Sequence, residues 1–223
     1  MSDLHNNFVP VIKLLTKNDL MITSRVFGLY SCVINLIILI SISRAFWKIS
    51  TYLIYFPVVL VMLSFNELFL NIFSRTKNDI FIYNSFPICL IDLFIARNAA
   101  TIFIVALFTV AMDVVLIILS NLSPQAIIDA IYYHICLLTT ILLYGNFYSV
   151  IIKIIQNKGK SVNWLHNLAI QLIVLISILL YLITKRMIFT QFLILELFLI
   201  LIYFLQIWWL KKNISRYKFL LFI

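Results

Sequence analysis

Apolar residues fall in six long runs separated by short polar breaks. The runs cover about Val26–Ser43, Thr51–Phe73, Asn98–Ser120, Ala126–Ile152, His166–Thr184 and Met187–Leu210. Each is close to the roughly 20 residues that a helix needs to cross the hydrocarbon of a bilayer. The breaks carry charge or turn residues: Arg44-Ala-Phe-Trp-Lys48, Asn121-Leu-Ser-Pro-Gln125, Gln156-Asn-Lys-Gly-Lys160 and Lys185-Arg186. Membrane strands would alternate apolar with polar positions, and these runs are continuous. The pattern therefore predicts an all-α polytopic membrane protein with six transmembrane helices. Trp47, Tyr52, Tyr148, Trp164, Trp208 and Trp209 fall near the predicted ends, at the headgroup level that amphipathic rings favour.

Composition strengthens this reading. Apolar residues make up 64% of 223 positions and charged residues 11%, with a mean hydropathy of +1.11. A water-soluble domain carries about a quarter charged residues. We read residues 1–223 as one transmembrane domain, without an internal repeat or an appended soluble domain. The polar first ~25 residues and the late first span argue against a cleaved signal peptide.

Basic residues set the expected orientation. With the N-terminus inside, Lys13, Lys17, Arg25, Arg75, Lys77, Arg97, Lys153, Lys158, Lys160, Lys211, Lys212, Arg216 and Lys218 fall on the inner side, against Arg44, Lys48, Lys185 and Arg186 outside. This bias places both termini in the cytoplasm. Much of the +9 net charge is then a topology signal that also attracts anionic lipid. The basic residues are dispersed along membrane edges, so nucleic acid is not expected as a partner.

Chemical motifs are mostly missing from the sequence. Gly28, Gly145 and Gly159 are its only glycines, too few for a phosphate-cradling loop. His5, His134 and His166 lie far apart, and no Cys or carboxylate stands near them at metal-ligand spacing. Cys32, Cys89 and Cys136 are odd in number and lie in spans or the expected cytoplasmic side, which does not suggest disulfides. Neither catalysis nor a metal or cofactor on this chain is expected.

Ionisable residues inside spans are the better candidates, because a charge in hydrocarbon is costly and faces protein or water. Glu67, Arg25 and Arg97 fall at a similar inner depth, which suggests a structural ion pair, with a substrate or coupling role as the alternative. Asp113 lies about 10 Å from the outer end of the third span, and His134 about 12 Å into the fourth. They can meet across the short hairpin, either to lock the helices or as a proton-linked site. Glu196, near the middle of the sixth span, is a candidate for a translocation pathway or for a buried structural role.

Two further segments look built for the cytoplasmic side. Over Asn7–Asn18, Phe8, Val11, Ile12, Leu14 and Leu15 stand against polar neighbours, and Pro10 suits a first helical turn. Residues 1–25 thus read as a cytoplasmic segment with an amphipathic interfacial helix. The second segment covers 74–97, where Asn78 or Asp79 can cap a short helix up to Phe86. Pro87 should then create a bend, and Ile88–Ala96 leads to Arg97, whose guanidinium can snorkel to the inner headgroups. A short helix exposing Phe81, Tyr83, Asn84 and Phe86 would be joined rigidly to the third span.

The stretch Tyr83-Asn-Ser-Phe-Pro-Ile-Cys-Leu-Ile-Asp-Leu-Phe-Ile-Ala-Arg97 resembles the cytoplasmic coupling region of ABC-2 type permeases. There a Leu/Phe-Pro step leads through an acidic position to a basic residue opening the third span. Six spans, internal termini and an amphipathic N-terminal helix extend the resemblance over nearly the whole chain. The size and the Ile, Asn and Lys content are similar to those of small bacterial permeases for membrane-active peptide export or immunity, such as phenol-soluble modulin exporter permeases. The resemblance implies a non-enzymatic subunit in the plasma membrane of a bacterium. It would work with a cytosolic ATPase that holds the ATP and Mg2+, and with a second permease subunit, identical or different. It assigns coupling to Phe81, Tyr83, Phe86, Pro87 and Asp92, and the cargo would be an amphipathic peptide or other hydrophobic molecule. Two departures stand out: Ile88-Cys-Leu90 is apolar where the family often has Ser/Thr and a basic residue, and Lys185-Arg186 replaces re-entrant helices. The alternatives are an ion-coupled transporter centred on Asp113 and Glu196, a membrane enzyme, and a non-transporting assembly or immunity subunit.

Overall fold

The computed structural model describes residues 28–45, 50–70, 90–119, 122–156, 163–185 and 187–221. Among them the regular structure is helical throughout, in eight helices: α1 (Gly28–Ala45), α2 (Ser50–Leu53), α3 (Phe56–Ser64), α4 (Asn66–Leu70), α5 (Leu90–Leu119), α6 (Pro124–Gln156), α7 (Asn163–Thr184) and α8 (Phe189–Leu221). Four stretches are long and apolar enough to cross a membrane: Phe94–Leu119, Pro124–Ile151, Trp164–Thr184 and Phe189–Asn213. A shorter apolar helix covers Tyr30–Ile42. The chain is a membrane-embedded helical protein. The amphipathic segment read over 1–25 lies outside the described residues.

The second apolar run does not form one helix. Expected as a continuous span over Thr51–Phe73, it is broken into α2, α3 and α4 by turns at Ile54-Tyr55 and at Phe65. The first break has its cause in Pro57 near the start of α3. Its ring lacks an N–H and clashes with the carbonyl four residues earlier, which stops a helix from running through. At the second break Phe65 adopts φ −111° and ψ 28°. Here the Asn66 side-chain amide donates to the Leu63 carbonyl at 3.0 Å, a local bond that competes with continued helix.

This broken element forms the centre of the molecule. It packs against α1, α5, α6 and α7, with Val58, Val61, Met62, Phe65, Phe69 and Leu70 almost fully enclosed. α6 is the other hub, touching α3, α4, α7 and α8. The peripheral helices turn apolar side chains outward instead, as Ile118 (76% exposed), Ile194 (68%) and Leu197 (66%) show. Surfaces of this kind suit lipid tails.

Polar side chains tie the helices together. Ser31 and Ser64 approach to 2.9 Å and join α1 to α3, and Asn35 donates to Ser64 at 3.3 Å. Asn98 donates to the Tyr203 hydroxyl at 3.1 Å and links α5 to α8. Gln206 donates to the Leu143 carbonyl at 3.0 Å and accepts from Asn146 at 3.3 Å, linking α8 to α6. Such bonds supply direction where apolar packing between helices and lipid is nearly neutral.

Gly145 permits a close backbone approach between α6 and α4. A Cβ there would stand 2.9 Å from the Phe69 carbonyl carbon and nearer still to its oxygen. Both sides of that contact are backbone, so neither can yield by a rotamer change. We expect Gly145→Ala to separate α4 from α6 and to destabilise the fold by about 2 kcal/mol or more. Unfolding of the purified protein in mixed detergent micelles would measure this, and an unchanged midpoint would refute the close approach.

Candidate functional site

Asp113 on α5 and His134 on α6 meet as their spacing from the hairpin requires. Pro124 opens α6, and the Ser123 hydroxyl accepts from the Ala126 N–H at 3.3 Å. Pro in a first turn costs no hydrogen bond, and Ser is a good cap. His134 Nδ1 then lies 3.1 Å from Asp113 Oδ2, with side chains only 10% and 17% exposed. Tyr133 borders the histidine ring at 5.8 Å between centroids.

The pair can act chemically in two ways. As a structural element it is a charge-assisted bond between two membrane helices. As a reactive element it is a carboxylate and an imidazole that together hold or release a proton. The geometry brings the two groups together and serves both.

Glu196 is buried at 8% exposure on α8 and meets the Thr139 hydroxyl of α6 at 3.2 Å, with the Cys136 thiol beside it. Thr139 also lies 3.0 Å from the Ile135 carbonyl and 3.1 Å from that of Cys136. A hydroxyl has a single proton, so these acceptors share it. Thr139 is five residues beyond His134, about 7.5 Å along the helix. The Asp113–His134 pair and Glu196 are therefore placed at successive depths on α6.

Arg97 differs from expectation. Its side chain is 2% exposed, so the guanidinium is enclosed by protein and does not snorkel to headgroups. Arg97 stands about two turns inside α5, and its neighbours Ala96, Asn98, Ala100 and Thr101 are all buried, so this part of the helix is packed within the bundle. Its neighbour α4 is close, since Thr101 donates to the Leu68 carbonyl at 3.5 Å. Glu67 lies on α4, but its side chain and Arg25 fall outside the described residues. So do Phe81, Tyr83, Phe86 and Pro87. Asp92 has a described backbone position in the first turn of α5 and no described side chain.

Sequence reasoning missed an aromatic cluster. Tyr55, Tyr133 and Tyr181 make edge-on contacts at 5.5, 4.9 and 6.2 Å between centroids. They border an apolar cavity of about 420 Å3 where α3, α6 and α7 converge. Lys185 stands over the Tyr52 and Tyr181 rings at 5.2 and 5.6 Å, a cation–π arrangement. Each tyrosine sits in a different apolar run, so the available signal was their similar depth from one membrane face.

Among the described residues no group of three or more His, Cys, Asp or Glu gathers as a metal site. No family model, no curated protein and no solved structure matches the chain. What the fold and site define is thus a class: a helical membrane-embedded protein with buried ionisable groups on α5, α6 and α8.

If Asp113 and His134 lock α5 to α6, the changes Asp113→Asn and His134→Gln will not be additive. We expect a coupling of about 1 kcal/mol in a double-mutant cycle of unfolding free energies. Strict additivity would show that the contact contributes no stability.

Proposed function

We propose that this chain is the permease subunit of an ATP-driven exporter of the ABC-2 type. On this reading it lies in a bacterial plasma membrane as six membrane-crossing elements with both termini cytoplasmic. ATP and Mg2+ act on a separate cytosolic ATPase, and a second permease subunit completes the path. The long α5 is the observation that carries the reading. It runs without a break from Leu90, inside the 74–97 segment, to Leu119. It also packs against α1, α3 and α8.

A 30-residue helix is a stiff lever of about 45 Å. Movement imposed by a docked ATPase on Phe81, Tyr83, Phe86, Pro87 and Asp92 would reach the membrane interior through it. The broken, buried α2–α4 element and the four long helices, together with α1, are compatible with six crossings. The apolar cavity beside Tyr55 supports an amphipathic or hydrophobic cargo, since it offers little to replace a hydration shell.

One observation favours a second reading. The buried Asp113–His134 contact, with Glu196 of α8 deeper beside Thr139 of α6, is also the equipment of an ion-coupled transporter. The two readings separate on the energy source.

Purification in mild detergent tests the first. A P-loop ATPase is expected to co-purify in stoichiometric amount and to be lost from the Phe86→Asp, Pro87→Ala variant. Absence of any ATPase, with the variant indistinguishable from wild type, would remove the exporter reading and leave the carboxylates as the centre of mechanism.

A further inference from the structure

Helix α7 buries one side and leaves the other bare. Ala169, Ile173, Ser177 and Leu180 are enclosed in the bundle. At about 3.6 residues per turn, the line opposite them runs through Trp164, Asn167, Gln171, Leu175, Ile178 and Leu182. All six are exposed. Gln171 is the one that does not suit lipid. Along the helix it stands about 10 Å from Trp164 and about 20 Å from Thr184, the two ends of this apolar stretch. Among the described residues of the four long apolar stretches, it is the only exposed carboxamide or ionisable side chain at such a depth. The others lie within about a turn of an end.

Gln171 has no hydrogen-bond partner among the described residues. A carboxamide brings two N–H donors and a carbonyl oxygen, and leaving them bare in hydrocarbon is costly. The side chain is too short to reach the headgroups from this depth. Its line also points away from the buried side of α7, so the chain's own bundle does not supply the bonds. Another helix has to.

We propose that α7 packs along this line against α7 of a second copy of this chain, about a twofold axis beside Gln171. A carboxamide both donates and accepts, so two copies of it satisfy one another across such an axis. A carboxylate or an ammonium at this depth would call for an unlike partner instead. Hydrogen bonds of this kind hold membrane helices together where apolar contact with lipid or with protein is nearly equal. Leu175, Ile178 and Leu182 extend the contact toward the Thr184 end, and Asn167 adds a second carboxamide one turn toward Trp164. The role of the pair rests on the export reading, in which the second permease subunit becomes an identical chain and this line its seam.

The test uses the full chain in lipid vesicles, without an ATPase, after Cys32→Ala, Cys89→Ala and Cys136→Ala. Oxidation with copper phenanthroline is expected to give a disulfide-linked dimer from Gln171→Cys and from Ile178→Cys. Leu179→Cys should give little, because Leu179 is as exposed as Ile178 but lies about a quarter turn off the line. Gln171→Leu, made in the chain with its own cysteines, removes the amide without touching the buried side of α7 and should fold as the wild type does. Energy transfer between donor- and acceptor-labelled copies diluted into vesicles should then show dimerisation weakened about threefold or more. Cross-linking as strong at Leu179 as at Gln171, unchanged energy transfer in Gln171→Leu, or a chain monomeric at every dilution would each overturn the proposal. So would cross-linking of Gln171→Cys in native membranes to a different polypeptide alone. None of these outcomes alters whether an ATPase co-purifies, so the export reading stands or falls separately.

Discussion

Backbone that leaves a helix inside a bilayer has to find its hydrogen bonds within the protein, and the rest of the fold is arranged around that requirement. The second apolar run breaks at Ile54-Tyr55 and at Phe65, where lipid offers no replacement bonds. Local bonds answer part of the need, as the Phe65 N–H donates to the Val61 carbonyl and the Leu68 N–H to that of Phe65, both at 2.9 Å. Side chains answer more, through Asn66 to Leu63 and Thr101 to Leu68. Burial of the broken element among α1, α5, α6 and α7 follows from the same constraint. Gly145 lets α6 come close enough to complete it.

That central element also determines which surfaces remain for function. With α3 and α4 occupying the middle, α5 and α6 pack beside it, and their shared hairpin brings Asp113 and His134 together. Val58 of α3 and Val105 of α5, both buried, line a small cavity beside that pair. Nearby on the other side of α3, Val59 and Tyr55 border the larger aromatic cavity. One short helix thus separates a small site with ionisable groups from a larger one that is almost wholly apolar.

Much of this was readable along the chain. Four of the six apolar runs fall within long helices whose apolar stretches lie within a few residues of the expected limits, because hydrophobic length decides whether a segment can cross hydrocarbon. The Asp113–His134 contact was readable for a related reason: a short turn and a fixed rise per residue leave little freedom to two groups at equal depth. Pro57 was a visible sign of the first break. Asn66 was a weaker sign of the second, since an asparagine near a helix end is common and here only its bond to Leu63 gives it meaning. The coupling residues Phe81 to Pro87 lie outside the described part of the fold, so their role rests on the sequence pattern.

The sequence by itself determined that this is a membrane-embedded helical protein, roughly where its helices run, and that Asp113 can reach His134. These are properties of length, hydropathy and local geometry, which each segment carries alone. Only the tertiary structure decided that the second run is broken and buried, that Arg97 is enclosed, and that Glu196 meets Thr139. It also decided that Tyr55, Tyr133 and Tyr181 cluster. Each of these depends on which face a helix turns to its neighbours. In a chain apolar nearly all round, hydrophobic pattern does not fix that rotation; sparse polar contacts and the close approach at Gly145 help to fix it.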